Sequence, residues 1–370
     1  MNPLKIVRWI LPSLAVALGT LAACESPETS AQDPRPVLAA LVGNVVLPTY
    51  QALDERAEIL RVSATELAMA PSEASLAKTR DAFVATRAAW KKSEAFRVGP
   101  PEVTRIGAAI DYWPASADAI GRAVASPTSR TKEGVDALGA NAKGFMALEF
   151  LLFDSASSHA TVLPALTTGP DAEARRSYVR ALAESLRGES RKLLALWSPS
   201  GQNLSAELAE GRGFFVSGKV AVDQIVRQLV FTSIAIESTR LGKPLGRQNG
   251  GTIVPSLEES PRSDGSLRDL ESALAGIRAI YRGEGLDDEA GIDDLVRAKS
   301  PAIDQHVVRE LDSARAALLA IPPPLRVALR DAPASVTAAF DASRKLKSTL
   351  ATELVSALGV TLTFSDSDGD

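Results

Sequence analysis

The chain has 370 residues, of which 45% are hydrophobic and 23% are charged, and its formal net charge is −4. These proportions are typical of a globular protein and exclude wholesale disorder, and the length is sufficient for two domains. One cysteine excludes an intramolecular disulfide and a cysteine-rich metal site, two histidines leave little for a histidine-rich metal centre, and the acidic balance argues against a nucleic-acid-binding protein.

Residues 1–23 have the pattern of an export signal. Lys5 and Arg8 precede an apolar run that continues to Ala23 and is too short to span a bilayer as a helix. The run ends in small residues before Cys24, which resembles the lipobox of bacterial lipoproteins, where the cysteine is lipidated and becomes the first mature residue. The alternative is an ordinary secretory signal followed by a chance cysteine.

Lipidation at Cys24 predicts a cell-envelope protein that faces the periplasm and is attached to the membrane through this anchor. Glu25 follows the cysteine, and by the sorting pattern of other lipoproteins this favours the outer membrane. Residues 24–36 are rich in Ser, Pro, Glu and Asp, so we expect a flexible tether there.

From residue 37 onward the apolar spacing is helical, with few strand-like segments. The first predicted helix extends from Val37 to Met69, with a kink or break at Pro48. Ser72 is the expected N-cap of a second helix that continues to Val98. Further helices are predicted at Val103 to Ile110, 115–125, 131–154, 171–197, 213–241, 266–281, 286–298, 301–319 and 334–357. The one at 131–154 is either continuous or broken near Gly139.

Residues 242–265 show no periodicity, and a segment of this length is too long for a casual loop in a compact domain. We expect it to carry function or to cover an interface. The chain is therefore predicted to be all-α, with a first helical bundle at 37–241 that shares some helices with the second, a long inter-domain loop at 242–265, and a second bundle with the C-terminal tail at 266–370.

Five stretches follow one another across nearly the whole mature chain: WKKSEAFRVGP at 90–100, IDYWP at 110–114, GFMALEFLLF at 144–153, GKPLG at 242–246 with ESPRS at 259–263, and DGD at 368–370. Together they resemble the imelysin-like family of bacterial exported proteins. The resemblance implies two helical bundles of a duplicated four-helix type, packed around an inter-bundle pocket. It also implies a link to bacterial iron uptake, and some members are described as insulin-cleaving metallopeptidases.

The family motif Gly-x-His-x-x-Glu matches Gly144 and Glu149, but Met146 stands where the family has histidine. A histidine and a glutamate at i and i+3 on a helix face the same direction and hold one ion together. A methionine thioether suits Cu(I) rather than Fe³⁺ or Ca²⁺. The substitution therefore argues against a family-type site for iron, calcium or zinc and against catalysis by a metal-bound water, and it leaves Glu149 as the expected ligand if a metal binds.

Glu149 lies in an otherwise apolar run, and a buried carboxylate needs a partner. One interpretation is a pocket carboxylate that contacts a ligand. The other is a structural ion pair, for instance with Arg97 or Arg105.

Trp90, Glu94 and Arg97 share one face of the second helix, which suits a pocket wall or, equally, a solvated ion pair beside a core tryptophan. Asp111 before Tyr-Trp-Pro is typical of a turn whose carboxylate caps the next segment. The resemblance instead implies that Asp111 and Trp113 lie near the same pocket.

Four residues of the long loop are candidates to reach across to the first bundle: Glu259, Ser260, Arg262 and Ser263. The alternative is that they are polar residues that only fill the loop.

We therefore predict a lipid-anchored periplasmic imelysin-like protein without catalytic residues, which binds a ligand, an iron-uptake system or another envelope protein in an iron-uptake context. Two alternatives are a family metallopeptidase with an altered metal shell and an envelope scaffold with a vestigial pocket. The surroundings of Glu149 bear on the choice, since a cluster with Glu94, Arg97 and Asp111 supports a site, whereas a lone arginine pair supports a structural role.

Overall fold

A computed structural model of the protein describes residues 33–154, 159–283 and 290–362. These ranges contain helices joined by turns and loops, without a β-strand, so the predicted all-α fold is confirmed. The described residues from Asp33 onward form one compact unit. Cys24, the export signal and the terminal Asp-Gly-Asp stretch lie outside the described residues.

The α-helices of the described ranges are α1 Arg35–Leu41, α2 Leu47–Met69, α3 Glu73–Ser93, α4 Pro101–Ile110, α5 Ala117–Ala125, α6 Lys132–Asp136, α7 Gly144–Leu152, α8 Val162–Thr167, α9 Ala172–Trp197, α10 Leu204–Glu210, α11 Gly218–Ile234, α12 Ser266–Arg282, α13 Ile292–Arg297, α14 Pro301–Leu319, α15 Leu325–Asp331, α16 Pro333–Thr349 and α17 Val355–Leu358. Wider π-helical turns occupy Val42–Val46, Ala235–Gly242 and Leu350–Leu354.

The first helix is continuous from Arg35 to Met69, because the π-helical turn Val42–Val46 joins α1 to α2. The N–H of Leu47 bonds to the carbonyl of Val42, five residues back, directly before Pro48. A proline inside a helix removes one N–H donor and crowds the preceding turn, and the wider turn accommodates both effects. By length and composition this helix could cross a membrane, yet half of its most apolar stretch is buried within the protein.

The predicted N-cap of α3 is confirmed. The Ser72 hydroxyl accepts a hydrogen bond from the Ser75 N–H at 3.1 Å, and the Ser75 hydroxyl accepts one from the Ser72 N–H at 2.9 Å. This reciprocal pair satisfies two backbone donors that the first turn of a helix otherwise leaves without partners.

We expect Ser72→Ala to lower the free energy of unfolding by about 1 kcal/mol, because the cap hydrogen bond is lost. Urea denaturation followed by circular dichroism measures the change. Ser72→Asp is the matched control and should retain wild-type stability within a few tenths of a kcal/mol, since aspartate is an equally good N-cap. Equal stability of the alanine and aspartate variants would contradict the cap assignment.

Two groups of helices meet at α3. In the first group α2 packs against α3 and α9, and in the second α12 and α16 pack against α14. The helix α3 also packs along α12 and so joins the groups, while α11 contacts both α12 and α16. Arg87 and Lys91 of α3 therefore lie inside the molecule, between its N-terminal and C-terminal helices. The bundle boundaries expected from the sequence stay predictions.

The predicted helix at 131–154 is three shorter elements: α6, a 3-10 turn at Ala140–Ala142, and α7. Three short helices, α8, α10 and α15, were not predicted. Each has only six or seven residues, which is shorter than the window over which a helical period becomes apparent.

Candidate functional site

One face of α3 carries charge into the protein interior. Arg87, Trp90, Lys91 and Glu94 follow one another at i, i+3, i+4 and i+7, and each is at most 4% exposed. Side chains at this spacing share one face of a helix. Because a buried charge is costly unless it is paired, neighbouring elements must supply partners.

Lys91 stands among three carboxylates. Its Nζ lies 2.5 Å from Glu259 Oε1, 2.8 Å from Asp111 Oδ2 and 3.1 Å from Glu94 Oε1. An ammonium has three N–H donors, so one lysine serves all three acidic side chains. These acids come from the long loop, the end of α4 and the end of α3.

Arg87 connects the same group to α12. Its Nε lies 2.8 Å from Asp269 Oδ2, its Nη1 lies 3.1 Å from Asp111 Oδ1, and its Nη2 lies 3.6 Å from Glu259 Oε1. The guanidinium also lies 5.5 Å from the ring centroid of Phe145 in α7. Arg87 therefore links α3, α4, α7, α12 and the long loop.

Arg240, in the π-helical turn that follows α11, completes the group. Its Nη1 and Nη2 lie 2.7 and 2.8 Å from the two carboxylate oxygens of Glu94, and its Nε lies 2.6 Å from Glu259 Oε2. We call the three cations and four carboxylates the ionic cluster: Arg87, Lys91, Arg240, Glu94, Asp111, Glu259 and Asp269.

The cations of the ionic cluster keep two of its acids ionised. Burial opposes ionisation of Glu94 and Asp111, but the neighbouring cations outweigh it and hold both pKa values well below the ordinary range. Arg240 and Lys91 act most strongly on Glu94, and Arg87 and Lys91 on Asp111.

Gly144 brings α7 against the end of α4. Its φ is +68°, and a Cβ at this position would lie 2.2 Å from the carbonyl oxygen of Ile110. Only glycine adopts this left-handed conformation without strain and allows such close contact. Met146 and Glu149 consequently lie beside the segment that begins at Asp111.

Glu149 is 3% exposed and is held by the long loop. Its Oε1 accepts hydrogen bonds from the Ser263 N–H at 2.9 Å and from the Ser263 hydroxyl at 2.6 Å. Burial raises the pKa of Glu149, and the attraction of Arg87 offsets this only in part.

Of the two interpretations of Glu149, the ion pair exemplified by Arg97 or Arg105 is not what the structure shows, because Glu149 bonds to Ser263. The Arg97 guanidinium stacks on Trp90, 4.9 Å from the ring centroid. Arg105 lies on the exposed face of α4 and pairs with Glu102 at 2.8 Å. The choice of partner depends on how α7 packs against the loop, which spacing along one helix does not reveal.

The capping role predicted for Asp111 is also wrong. Its carboxylate belongs to the ionic cluster and accepts a hydrogen bond from Trp90 Nε1 at 3.0 Å. The next helix, α5, is instead capped by Ser116, whose hydroxyl accepts from the Ala119 N–H at 3.2 Å.

The loop residues are not polar filler. Glu259 binds Lys91, and the Ser260 hydroxyl donates to Asp269 Oδ2 at 2.5 Å. Ser260 and Ser263 are both buried. The loop therefore fastens α3, α7 and α12 together.

Two cavities flank Trp113. The Glu149 cavity has a volume of about 480 Å³, and its wall includes Trp113, Met146, Glu149, Phe150, Glu258 and Glu259. The Arg97 cavity, of about 540 Å³, is lined by Arg97, Thr104, Asp111, Tyr112, Trp113 and Gln228, among others. The remaining predicted site residues line neither of these two cavities: Trp90, Glu94, Gly144, Ser260 and Ser263.

Two charged residues that line the Glu149 cavity, Lys243 and Glu258, were not predicted from the sequence. Nor were four residues of the ionic cluster: Arg87, Lys91, Arg240 and Asp269. A signal was present for Arg87 and Lys91, because charged residues one helical turn apart share the face of Trp90 on α3. Asp269 gave no comparable signal, because the charged residues Arg268 and Glu271 stand beside it in α12.

Glu258 is the least satisfied acid in the Glu149 cavity. It is 1% exposed, and neither carboxylate oxygen has a hydrogen bond of good geometry within the described residues. Arg326 Nη1 is 3.9 Å from Oε1 and also contacts Asp264. Burial raises the pKa of Glu258 to about 7, and the attraction of Arg326 and the nearby hydroxyl of Ser266 offsets this only in part.

We expect Glu258→Gln to stabilise the protein at alkaline pH. A folded-state pKa of about 7, above the ordinary glutamate value, means that wild-type stability falls as pH rises through this range. Glutamine does not ionise, so its advantage should be near zero at pH 4 and about 2 kcal/mol at pH 8. Urea denaturation at both pH values measures it, with the exposed Glu55→Gln on α2 as the control that should change little. A Glu258→Gln advantage that does not grow with pH would contradict the assignment.

The site residues do not fit a metal ion. Within the residues that the structure describes, no three His, Cys, Asp or Glu side chains are arranged to hold one. The carboxylates that come nearest to such a group, those of Glu94, Asp111 and Glu259, already surround the Lys91 ammonium. Met146 supplies only a thioether beside Glu149.

A sequence profile of the imelysin family, Peptidase_M75, matches residues 46–352. The chain is 26% identical over 309 residues to iron-regulated protein A of Synechococcus elongatus, covering 82% of this chain and 80% of that protein.

Two crystal structures have a similar fold. The one described as an iron-regulated protein A precursor from Parabacteroides distasonis has a TM-score of 0.77 at 21% identity, covering 90% of this chain and 97% of that one. An imelysin-like protein from Psychrobacter arcticum has a TM-score of 0.70 at 16% identity, covering 90% of this chain and 98% of that one.

Proposed function

Because this chain belongs to the imelysin family, we propose that it is a non-catalytic, lipid-anchored periplasmic protein that binds a small ligand in an iron-uptake context. The name of its relative, iron-regulated protein A, supports the iron context. The lipobox-like residues before Cys24 support the anchor and the periplasmic position.

The Glu149 cavity is the observation that carries the ligand-binding part of the proposal. A volume of about 480 Å³ lies in the range of small-molecule sites. Such sites combine apolar walls with a few polar groups, and here Met146, Phe150 and Trp113 accompany Glu149 and Glu258. A purely structural role for Glu149 would not require a cavity of this size beside it.

The described side chains around the Glu149 cavity do not supply the metal ligands of a metallopeptidase. A metallopeptidase needs protein ligands that leave a metal with an open position for water. In this chain Met146 offers a soft thioether, and Lys91 already neutralises the nearest acids. We therefore expect the purified mature chain to hold less than about one-tenth of a metal ion per molecule after incubation with iron, zinc or calcium and desalting. Elemental analysis measures this, and stoichiometric metal together with cleavage of a peptide library would support the metallopeptidase instead.

A deletion strain tests the ligand-binding role in the cell. Growth under iron limitation should be impaired in the deletion and restored by the wild-type gene, but not by Glu149→Ala at equal protein abundance. The matched control is Glu55→Gln, which should restore growth fully. Full rescue by Glu149→Ala would favour an envelope scaffold with a vestigial pocket, and normal growth of the deletion strain would remove the iron context.

A further inference from the structure

The Glu149 cavity contains two carboxylates that do not belong to the ionic cluster. In the ionic cluster three cations face four carboxylates, and Arg97, 3.9 Å from Glu94, supplies a fourth cation. Glu149 and Glu258 are additional to this balance. Both line the same cavity, and each is at most 3% exposed.

Neither extra carboxylate is fully used by the protein. Among the described residues, both hydrogen bonds to Glu149 go to Oε1, from Ser263. Glu258 has no hydrogen bond of good geometry at either oxygen, and its nearest cation, Arg326, also serves Asp264. Glu258 thus keeps only the nearby Ser266 hydroxyl and the Arg326 guanidinium at 3.9 Å, and a ligand with N–H donors would satisfy its remaining acceptor capacity.

Two cations also belong to the wall of the cavity. Lys243 and Arg262 line it, both are only half-buried, and both rest on aromatic walls. Lys243 Nζ is 5.5 Å from the ring centroid of Trp113, and the Arg262 guanidinium is 4.1 Å from that of Phe150. The remaining wall includes the apolar residues Pro114, Ala115, Met146 and Leu257.

From this arrangement we propose that the Glu149 cavity binds a small amino-acid-type zwitterion. Its protonated amine donates hydrogen bonds to Glu149 and Glu258, its carboxylate faces Arg262 and Lys243, and its apolar part contacts the hydrocarbon wall. This ligand class rests on the proposed binding function of the same cavity. A metal ion would leave the apolar wall and the two half-buried cations without a role.

Binding of the protonated amine should depend on pH, because it requires Glu258 to be ionised. The charged groups that act on Glu258 are Arg326 of α15, Asp264 of the loop and Glu149 of α7. Because the pKa of Glu258 is raised to about 7, the acid is mostly ionised at pH 8 and mostly protonated at pH 6. Affinity for the amine should therefore fall about tenfold between these pH values.

Leucine and two analogues test the proposal in calorimetric titrations of the full mature chain. N-acetylleucine lacks the ammonium and leucinamide lacks the carboxylate, while the apolar part is unchanged. We expect leucine to bind and each analogue to lose about tenfold or more in affinity, the typical contribution of a charged hydrogen bond. N-acetylleucine binding as tightly as leucine, or no binding of leucine at pH 8, would overturn the proposal.

Variants of Glu149 and Glu258 test whether these two acids bind the ammonium of leucine. Glu258→Gln and Glu149→Gln should each weaken leucine binding about tenfold or more, whereas Glu55→Gln should leave it unchanged. Glu258→Gln is expected to be at least as stable as wild type at pH 8, so its loss of binding cannot result from unfolding. Unchanged affinity in both variants would overturn the proposal. If leucine does not bind, the zwitterion proposal fails, and the growth test with Glu149→Ala still decides whether the cavity has any binding function.

Discussion

Lys91→Met is expected to lower the free energy of unfolding by about 3–5 kcal/mol at pH 8. The substitution keeps most of the apolar stem of Lys91 but removes the ammonium that lies within 3.1 Å of Glu94, Asp111 and Glu259. Three buried carboxylates then lose a shared partner, and the remaining cations of the ionic cluster do not replace it. Urea denaturation of the wild type and the variant measures the difference.

Lys78→Met on the same helix is the matched control. Lys78 pairs with Glu66, and both side chains are about half exposed, with 55% and 48% of their surface accessible. An exposed ion pair contributes about 1 kcal/mol or less, so this variant should remain close to wild type. Equal effects of the two substitutions would show that Lys91 contributes no more than a surface lysine.

The destabilisation caused by Lys91→Met should depend on pH. In the wild type the pKa values of Glu94 and Asp111 lie below the ordinary range, so their contribution to stability is present above the unfolded-state pKa and is lost as pH falls through the folded-state values. Without Lys91 these acids should take up protons more readily. The stability difference between wild type and Lys91→Met should therefore shrink between pH 8 and pH 4, and a constant difference would contradict an electrostatic origin.

Gly144→Ala is expected to lower the free energy of unfolding by about 2–5 kcal/mol. A left-handed conformation costs a non-glycine residue about 1–2 kcal/mol. The new Cβ would also lie 2.2 Å from the carbonyl oxygen of Ile110, so α7 and α4 must move apart at a cost of about 1–3 kcal/mol. The displacement would separate Glu149 from Ser263, and leucine binding should weaken with stability.

Gly121→Ala is the matched control for Gly144→Ala and should raise, not lower, the free energy of unfolding. Gly121 lies in the exposed face of α5, and a Cβ there meets no atom within 4 Å. Alanine is the better helix former, so this variant should gain up to about 1 kcal/mol in urea denaturation. Similar stabilities of the Gly144 and Gly121 variants would contradict the close-contact explanation.

The structure brings several of the predicted site residues to one cavity, but it gives Glu149 a partner that the sequence did not indicate. Met146, Glu149, Trp113 and Glu259 were chosen from separate stretches of the chain, and the structure brings them to one cavity. An arginine partner was one of the two interpretations of Glu149, and the structure has Ser263 there instead. Spacing along a helix shows which residues share a face, but not which element covers that face.

Local regularities were sufficient for the all-α class, for the Ser72 cap and, through five short stretches, for family membership. Each of these depends on residues within one helix or one stretch, so the sequence by itself determined them. Tertiary structure alone decided the partners of the buried charges. Ser263 and Glu149 are 114 residues apart, and Lys91 and Glu259 are 168 residues apart. Such pairs form only when helices and loop pack together, because burial removes water and makes each charge depend on whichever opposite charge the packing brings within reach.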